Sequence, residues 1–255
     1  MHNLLYTLAV TVGLCCIMAA TACLTSCSNT YEVRGSSSIS TLDGSKLYLK
    51  AIKNNELKKI DSCDVIHGQF EFSGVLDTVR MATLFMDEQS ILPIVLEDGD
   101  ITIKIDNINQ QVSGSPLNDI LYEFLGKHKQ LNNRHSELVH KHSQMLLDGM
   151  DEMEANQRIA AESAQIAKEV DQLIMDYISD NFDNVLGPGI FMMITNGYQY
   201  PILTPQIEHI MSKATEKFKN DPYVKDYYQT ATENEERMLE SGMPAEPQAD
   251  STSVK

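Results

Sequence analysis

His128, His135 and His142 recur every seven residues in a stretch where Leu117, Phe124, Leu131, Leu138 and Met145 keep the same interval. An imidazole can ligate a metal, relay a proton, or change its charge near neutral pH. Seven residues of helix rise about 10 Å. No two of these rings can therefore share one metal ion, whose ligands sit at about 2 Å. Each could instead face a carboxylate on a second helix, and Glu162 and Glu169 are placed for that. The series reads as a semi-polar flank of a helix pair, and in its sharper form as a pH-sensitive seam.

Other pairings are weaker. Cys63 and His67 could suggest a thiol and its base. Residues four apart on a strand lie about 13 Å apart, too far for the hydrogen bond that activates a nucleophile. Glu97, Asp98 and Asp100 surround Gly99. A calcium loop needs more oxygen ligands and a closing Glu, so Asp98-Gly99 reads as a hairpin turn. Met145, Met150 and Met153 read as gap-filling apolar residues near a helical turn. A phosphate-binding Gly loop, a Gly-x-Ser-x-Gly elbow and a His-Glu-x-x-His zinc motif are all missing. The expectation is a protein that is not an enzyme, with no catalytic residue, metal or cofactor.

The elements that position these residues fall into two blocks. From Tyr31 to Val112 apolar residues alternate, as in Leu47-Tyr48-Leu49 and Ile101-Thr102-Ile103. Asp43-Gly44, His67-Gly68 and Asp98-Gly99 punctuate them as turns. This predicts about seven strands, at 31–39, 46–53, 57–66, 69–75, 79–86, 91–97 and 100–105, with a short eighth near 110–113. Close spacing without helices predicts antiparallel pairing in a sandwich or open barrel. At Ser115-Pro116, a cap followed by a favourable first residue, the period changes. One helix is expected to about Leu147 and another from Glu152 to Ser179, an antiparallel helical hairpin. Gly187-Pro188-Gly189 reads as a break before a short helix to Thr195. Thr204-Pro205 and Asp221-Pro222 open helices to about Lys219 and Ser241. The fold class is thus α+β. Its parts are an antiparallel β domain at 31–114, a helical region at 115–241 and a disordered tail at 242–255.

Residues 1–26 carry no charged side chain, and residues 4–20 form an apolar run. Such a run is marginal for a spanning helix and suits the core of a signal peptide. Leu24-Thr25-Ser26-Cys27 then offers small residues before a thiol, as in the lipobox of bacterial lipoproteins. The expectation is a lipoprotein signal peptide at 1–26 and a lipidated tether at 27–30, with acylated Cys27 as the first mature residue. Each buried methylene adds about 0.8 kcal/mol, so two or three acyl chains anchor firmly. Cys15, Cys16 and Cys23 would leave with the signal, and Cys63 would be the remaining thiol.

The formal net charge is −16. Such a chain repels phosphate backbones unless a local basic patch intervenes, so no nucleic acid partner is expected. The densest basic group, Lys50, Lys53, Lys58 and Lys59, is spread over strand edges.

Several short pieces combine into a resemblance. They include Tyr31-Glu32-Val33-Arg34-Gly35, Ile60-Asp61-Ser62, Gly68-Gln69-Phe70-Glu71-Phe72-Ser73-Gly74, Leu96-Glu97-Asp98-Gly99-Asp100-Ile101 and Gly114-Ser115-Pro116-Leu117-Asn118. In this order they resemble the N-terminal domain of unknown function of Bacteroidetes-type lipoproteins, which usually precedes a thioredoxin-like domain. Asn181, Asn184 and Gly187 resemble the segment after its helices. The resemblance implies a β-sandwich followed by helices. A thioredoxin-like domain takes on the order of 100 residues and a reactive thiol. Residue 190 is followed by too few residues and no Cys, so that part is expected to be absent and no catalytic residue carries over. The functional expectation is a non-catalytic interaction module of the bacterial cell envelope, held in the outer membrane through Cys27 and engaging an envelope protein or glycan. The alternative is an accessory of thiol–disulfide chemistry acting through Cys63.

Overall fold

The computed structural model describes residues 29–53 and 56–241. Cys27, the 1–26 segment and the 242–255 tail lie outside the described residues. Eight strands form two four-stranded sheets, without a closed barrel. The strands are β1 (Thr30–Ser37), β2 (Lys46–Lys53), β3 (Glu56–Asp64), β4 (Gln69–Val75), β5 (Arg80–Met86), β6 (Gln89–Leu96), β7 (Gly99–Ile105) and β8 (Gln110–Ser113). One sheet runs β4-β1-β7-β8, the other β3-β2-β5-β6.

Pairing is antiparallel except between β1 and β7, which run parallel with Val33 beside Ile101. This corrects the all-antiparallel expectation. The first strand is threaded between β4 and β7, and no local hairpin signal announces that long-range pairing. Alternation sends Val33, Leu47, Leu49, Phe72, Leu84, Ile94, Ile101 and Ile103 into the core between the sheets.

Two glycines of the resembling pieces have a packing reason. A Cβ on Gly35 would lie 2.0 Å from the ring of its cross-strand partner Phe70. One on Gly74 would meet the Tyr31 hydroxyl at 2.7 Å, and those residues are also partners. The aromatic ring covers the bare glycine backbone in each pair.

The turns sort into two ends. At the near end lie Thr30, the 76–79 turn and the 97–98 turn. The Thr30 N–H donates to Asp98 Oδ1, and the Leu76 N–H to the Asn29 carbonyl. Asn29 and Thr30, assigned to the tether from sequence, are thus already held by the fold. At the far end the β1–β2 crossover meets the β3–β4 turn, where Gly68 N–H donates to Asp43 Oδ1. His67 and Gly68 there adopt φ of 52° and 71°, a left-handed pair suited to a tight hairpin. Because β2 descends from this end and β3 climbs back, the paired ends Lys53 and Glu56 lie towards the near end.

Six helices follow: α1 (Pro116–Leu147), α2 (Glu152–Asp180), α3 (Leu186–Thr195), α4 (Pro205–Lys213), α5 (Glu216–Lys219) and α6 (Pro222–Ser241). Two sequence boundaries change. Gly187-Pro188-Gly189 does not break the chain but forms the first turn of α3, where Pro lacks an N–H that would be unpaired anyway. A Cβ on Gly187 would sit 2.5 Å from the Asn181 carbonyl, and one on Gly189 2.8 Å from Met81. Closeness of approach, not chain-breaking, explains these glycines. The helix expected to run from Thr204-Pro205 to Lys219 divides at the extended Ala214, and the Thr215 side chain caps α5.

A second core gathers Leu121 and Phe124 of α1, Ile174 and Ile178 of α2, and Ile190, Phe191, Ile207, Phe218, Val224 and Tyr227 from the later helices. Val95 of β6 belongs to it while its neighbours Ile94 and Leu96 point into the sandwich. β6 is therefore covered on both faces and joins the two halves.

Candidate functional site

The start of α1 is fixed by a buried polar joint. Asn118 is fully buried. Its side chain accepts from Val95 N–H at 2.9 Å and donates to Val95 O at 2.8 Å and to Ser115 Oγ at 2.8 Å. Glu97 Oε1 accepts from the N–H groups of Leu117 and Asn118 at 2.9 and 3.1 Å. A carboxylate there satisfies orphan donors and opposes the positive end of the helix. The Glu97, Asp98 and Asp100 group is thus split three ways: Asp98 holds Thr30, and Asp100 lies 3.5 Å from Arg34. Among the described residues no group of three His, Cys, Asp or Glu side chains is placed to hold a metal ion. Asn181, Asn184 and Gly187 form a similar joint after α2, with Asn184 Nδ2 donating to Asn181 Oδ1.

From this base α1 climbs past β6 and β8. Tyr122 OH donates to Pro93 O at 2.9 Å, and Lys129 Nζ to Ile108 O at 3.2 Å in the far-end loop. Beyond Lys129 the helix continues for about 27 Å by its rise before α2 returns. The buried residues of this stretch, Leu138, Ala155 and Ile166, belong to neither core. The distal hairpin is an arm extending past the sandwich. At its tip Leu147 is 82% exposed and Met153 70%. Met145 and Met150 are half-buried.

The three histidines lie along this arm in separate surroundings. His128 is half-buried and stacks on Phe124, ring centroids 5.9 Å apart; burial lowers its pKa. His135 is exposed, 3.4 Å from Ser163 Oγ. His142 Nε2 lies 2.8 Å from Asn156 Oδ1. Glu162 and Glu169 are not their partners: Lys141 holds Glu162 and Arg134 holds Glu169. Arg134 and Lys141 each stand one residue before a histidine of the series and take the carboxylates instead.

Cys63, on the edge strand β3, is half-buried and unpaired as a free thiol. Burial pushes its pKa up to about 11, so at neutral pH it is a thiol, not the nucleophilic thiolate. His67 lies in the turn beyond, at φ 52°.

A cleft of about 680 Å³ opens between β8, the 106–109 loop and α1. Sequence reasoning missed it, though its rim is a legible run of amides: Asn107, Asn109, Gln110 and Gln111. Its carboxylates are engaged. Asp106 accepts from the Ile108 and Asn109 N–H groups, Asp119 from Gly114, and Glu123 pairs with Lys127. Those bonds hold Asp106 and Glu123 below the usual carboxylate range. The cleft offers neutral donors and acceptors rather than a poised acid.

Residues 31–121 match the model of a family described as a domain of unknown function (DUF4369). The matched segment spans the sandwich and ends in the first turns of α1. No curated protein matches the chain, and no solved structure does. The match ends at Leu121, so the joint of Glu97 with Asn118 falls inside it and the arm outside.

Proposed function

We propose that the protein is a lipid-anchored module of the bacterial envelope that binds a protein or glycan and does not catalyse a reaction. One observation carries this: the chain enters the fold at the near end, while the arm leaves from the far end. With acylated Cys27 three residues before Thr30, the near end would sit against the membrane and the arm would reach away from it. The exposed Leu147 and Met153 then stand where a partner can be met. The engaged carboxylates of the cleft and the protonated Cys63 thiol favour binding over turnover.

The test places a photo-reactive side chain at Leu147, at Met153, or at exposed Glu71 on the sheet. The variants are irradiated in the native envelope. Adducts at 147 or 153 and none at 71 are expected. An arm that stays free of adducts in membrane-retained protein overturns the reading, as does reproducible turnover by the purified mature chain.

A further inference from the structure

The β2–β3 hairpin parts from β5 before its own strands end. The β2–β5 ladder ends at Lys50 opposite Thr83, whereas β2 and β3 stay paired out to Lys53 opposite Glu56. A register shift at Leu49/Lys50 marks where the hairpin departs, as bulges do. On the rungs that have parted from β5, Ile52 and Leu57 are direct partners, 48% and 52% exposed. Lys53, Lys58 and Lys59 flank them, all exposed. Glu56 is the acid between them, 3.0 Å from Lys58. An apolar pair framed by lysines is unusual on a chain of net charge −16.

Its position gives it meaning. The outer rungs of the hairpin, Ile52 to Leu57 and Lys53 to Glu56, share the near end with Thr30. An extended chain spans at most about 10 Å over three residues, so a lipid on Cys27 would hold that end close to the bilayer. Exposed Val75 and Val79 sit in the same layer of turns. The geometry points to a second membrane contact: Ile52 and Leu57 enter the interfacial layer while Lys53, Lys58 and Lys59 meet anionic phospholipid headgroups. Apolar residues with basic neighbours partition to that layer. The contact rests on the anchored reading and adds an orientation to it. One lipid tether alone would let the body swivel, and a second point fixes the arm's direction.

A fluorophore at Leu57→Cys, in a Cys63→Ala background, tests this in the acylated mature chain. The protein is reconstituted in vesicles of phosphatidylethanolamine and phosphatidylglycerol with brominated acyl chains. Loss of emission at 57 is expected, with emission at a Leu147→Cys label unchanged. Lys58→Glu with Lys59→Glu should restore emission at 57 while the protein still sediments with vesicles. Sedimentation with full emission at 57 overturns the hairpin contact and leaves the anchor standing. Failure to sediment overturns the anchor and the contact with it. A change in oligomeric mass on Leu57→Glu, with no quenching, gives the outer rungs to a second copy and overturns the membrane assignment.

Discussion

Asn118 makes both backbone bonds to Val95 and a third to Ser115 from a site with no solvent access. Replacing it with Ala strands a buried N–H and a buried carbonyl. Each stranded group costs about 1–3 kcal/mol, so Asn118→Ala should lose about 3 kcal/mol by chemical denaturation, with an unchanged slope. A loss below about 1 kcal/mol, the worth of one ordinary hydrogen bond, would mean that water replaces the amide. Gly35 makes a second case. Gly35→Ala drives a methyl into Phe70, and overpacking of this kind costs about 1–3 kcal/mol or more. A Phe70→Leu background should recover part of it, which a double-mutant cycle reads directly. The sequence displayed every residue of these sites. It did not display their pairing, because Glu97 and Asn118 meet across the fold rather than along one element.

At the scale of elements, repeating patterns were readable and exceptions were not. Alternation located the strands, and the seven-residue series located α1 and α2 almost to their ends. Parallel β1–β7 pairing escaped because register between distant strands leaves no local mark. Gly187-Pro188-Gly189 misled because glycine chosen for close approach looks identical to glycine chosen for a break. In the arm, the histidine series suggested one seam, but burial separates its members. His128 and His142 are half-buried and His135 is exposed, and burial lowers the pKa of His128. A His whose folded pKa lies below its unfolded value contributes stability above the unfolded pKa, about 6.5. That stability is lost as pH falls through this range. The melting temperature should therefore drop more for the parent than for His128→Gln between about pH 7.5 and 5.5. Equal drops would remove the effect from His128. The arm should also open before the body. Its two helices share little buried surface, so amides near Leu138 and Ala155 should exchange faster than those near Ile178 and Ile190. Uniform protection would mean that something else covers the arm.

Across the whole molecule, the order of elements along the chain gives it two unlike ends. The sandwich holds the first strand in its middle, the polar joint at Asn118 aims α1 along the sheets, and the helical core clamps the base of the hairpin. No described helix is long and apolar enough to cross a membrane; the proposed attachments are the lipid at Cys27 and the outer rungs of β2 and β3. The amide-rimmed cleft and the arm tip both lie away from that attachment, where a partner could reach them. What the sequence could not supply was this direction, since it depends on strand order rather than on any motif.

Intact-mass measurement of the protein extracted from its own membranes tests the attachment most directly. The account predicts a chain beginning at Cys27 and heavier than its residues by a diacylglyceryl group and its fatty acyl chains. A chain that begins elsewhere, or that carries position 27 as an unmodified thiol, would contradict it.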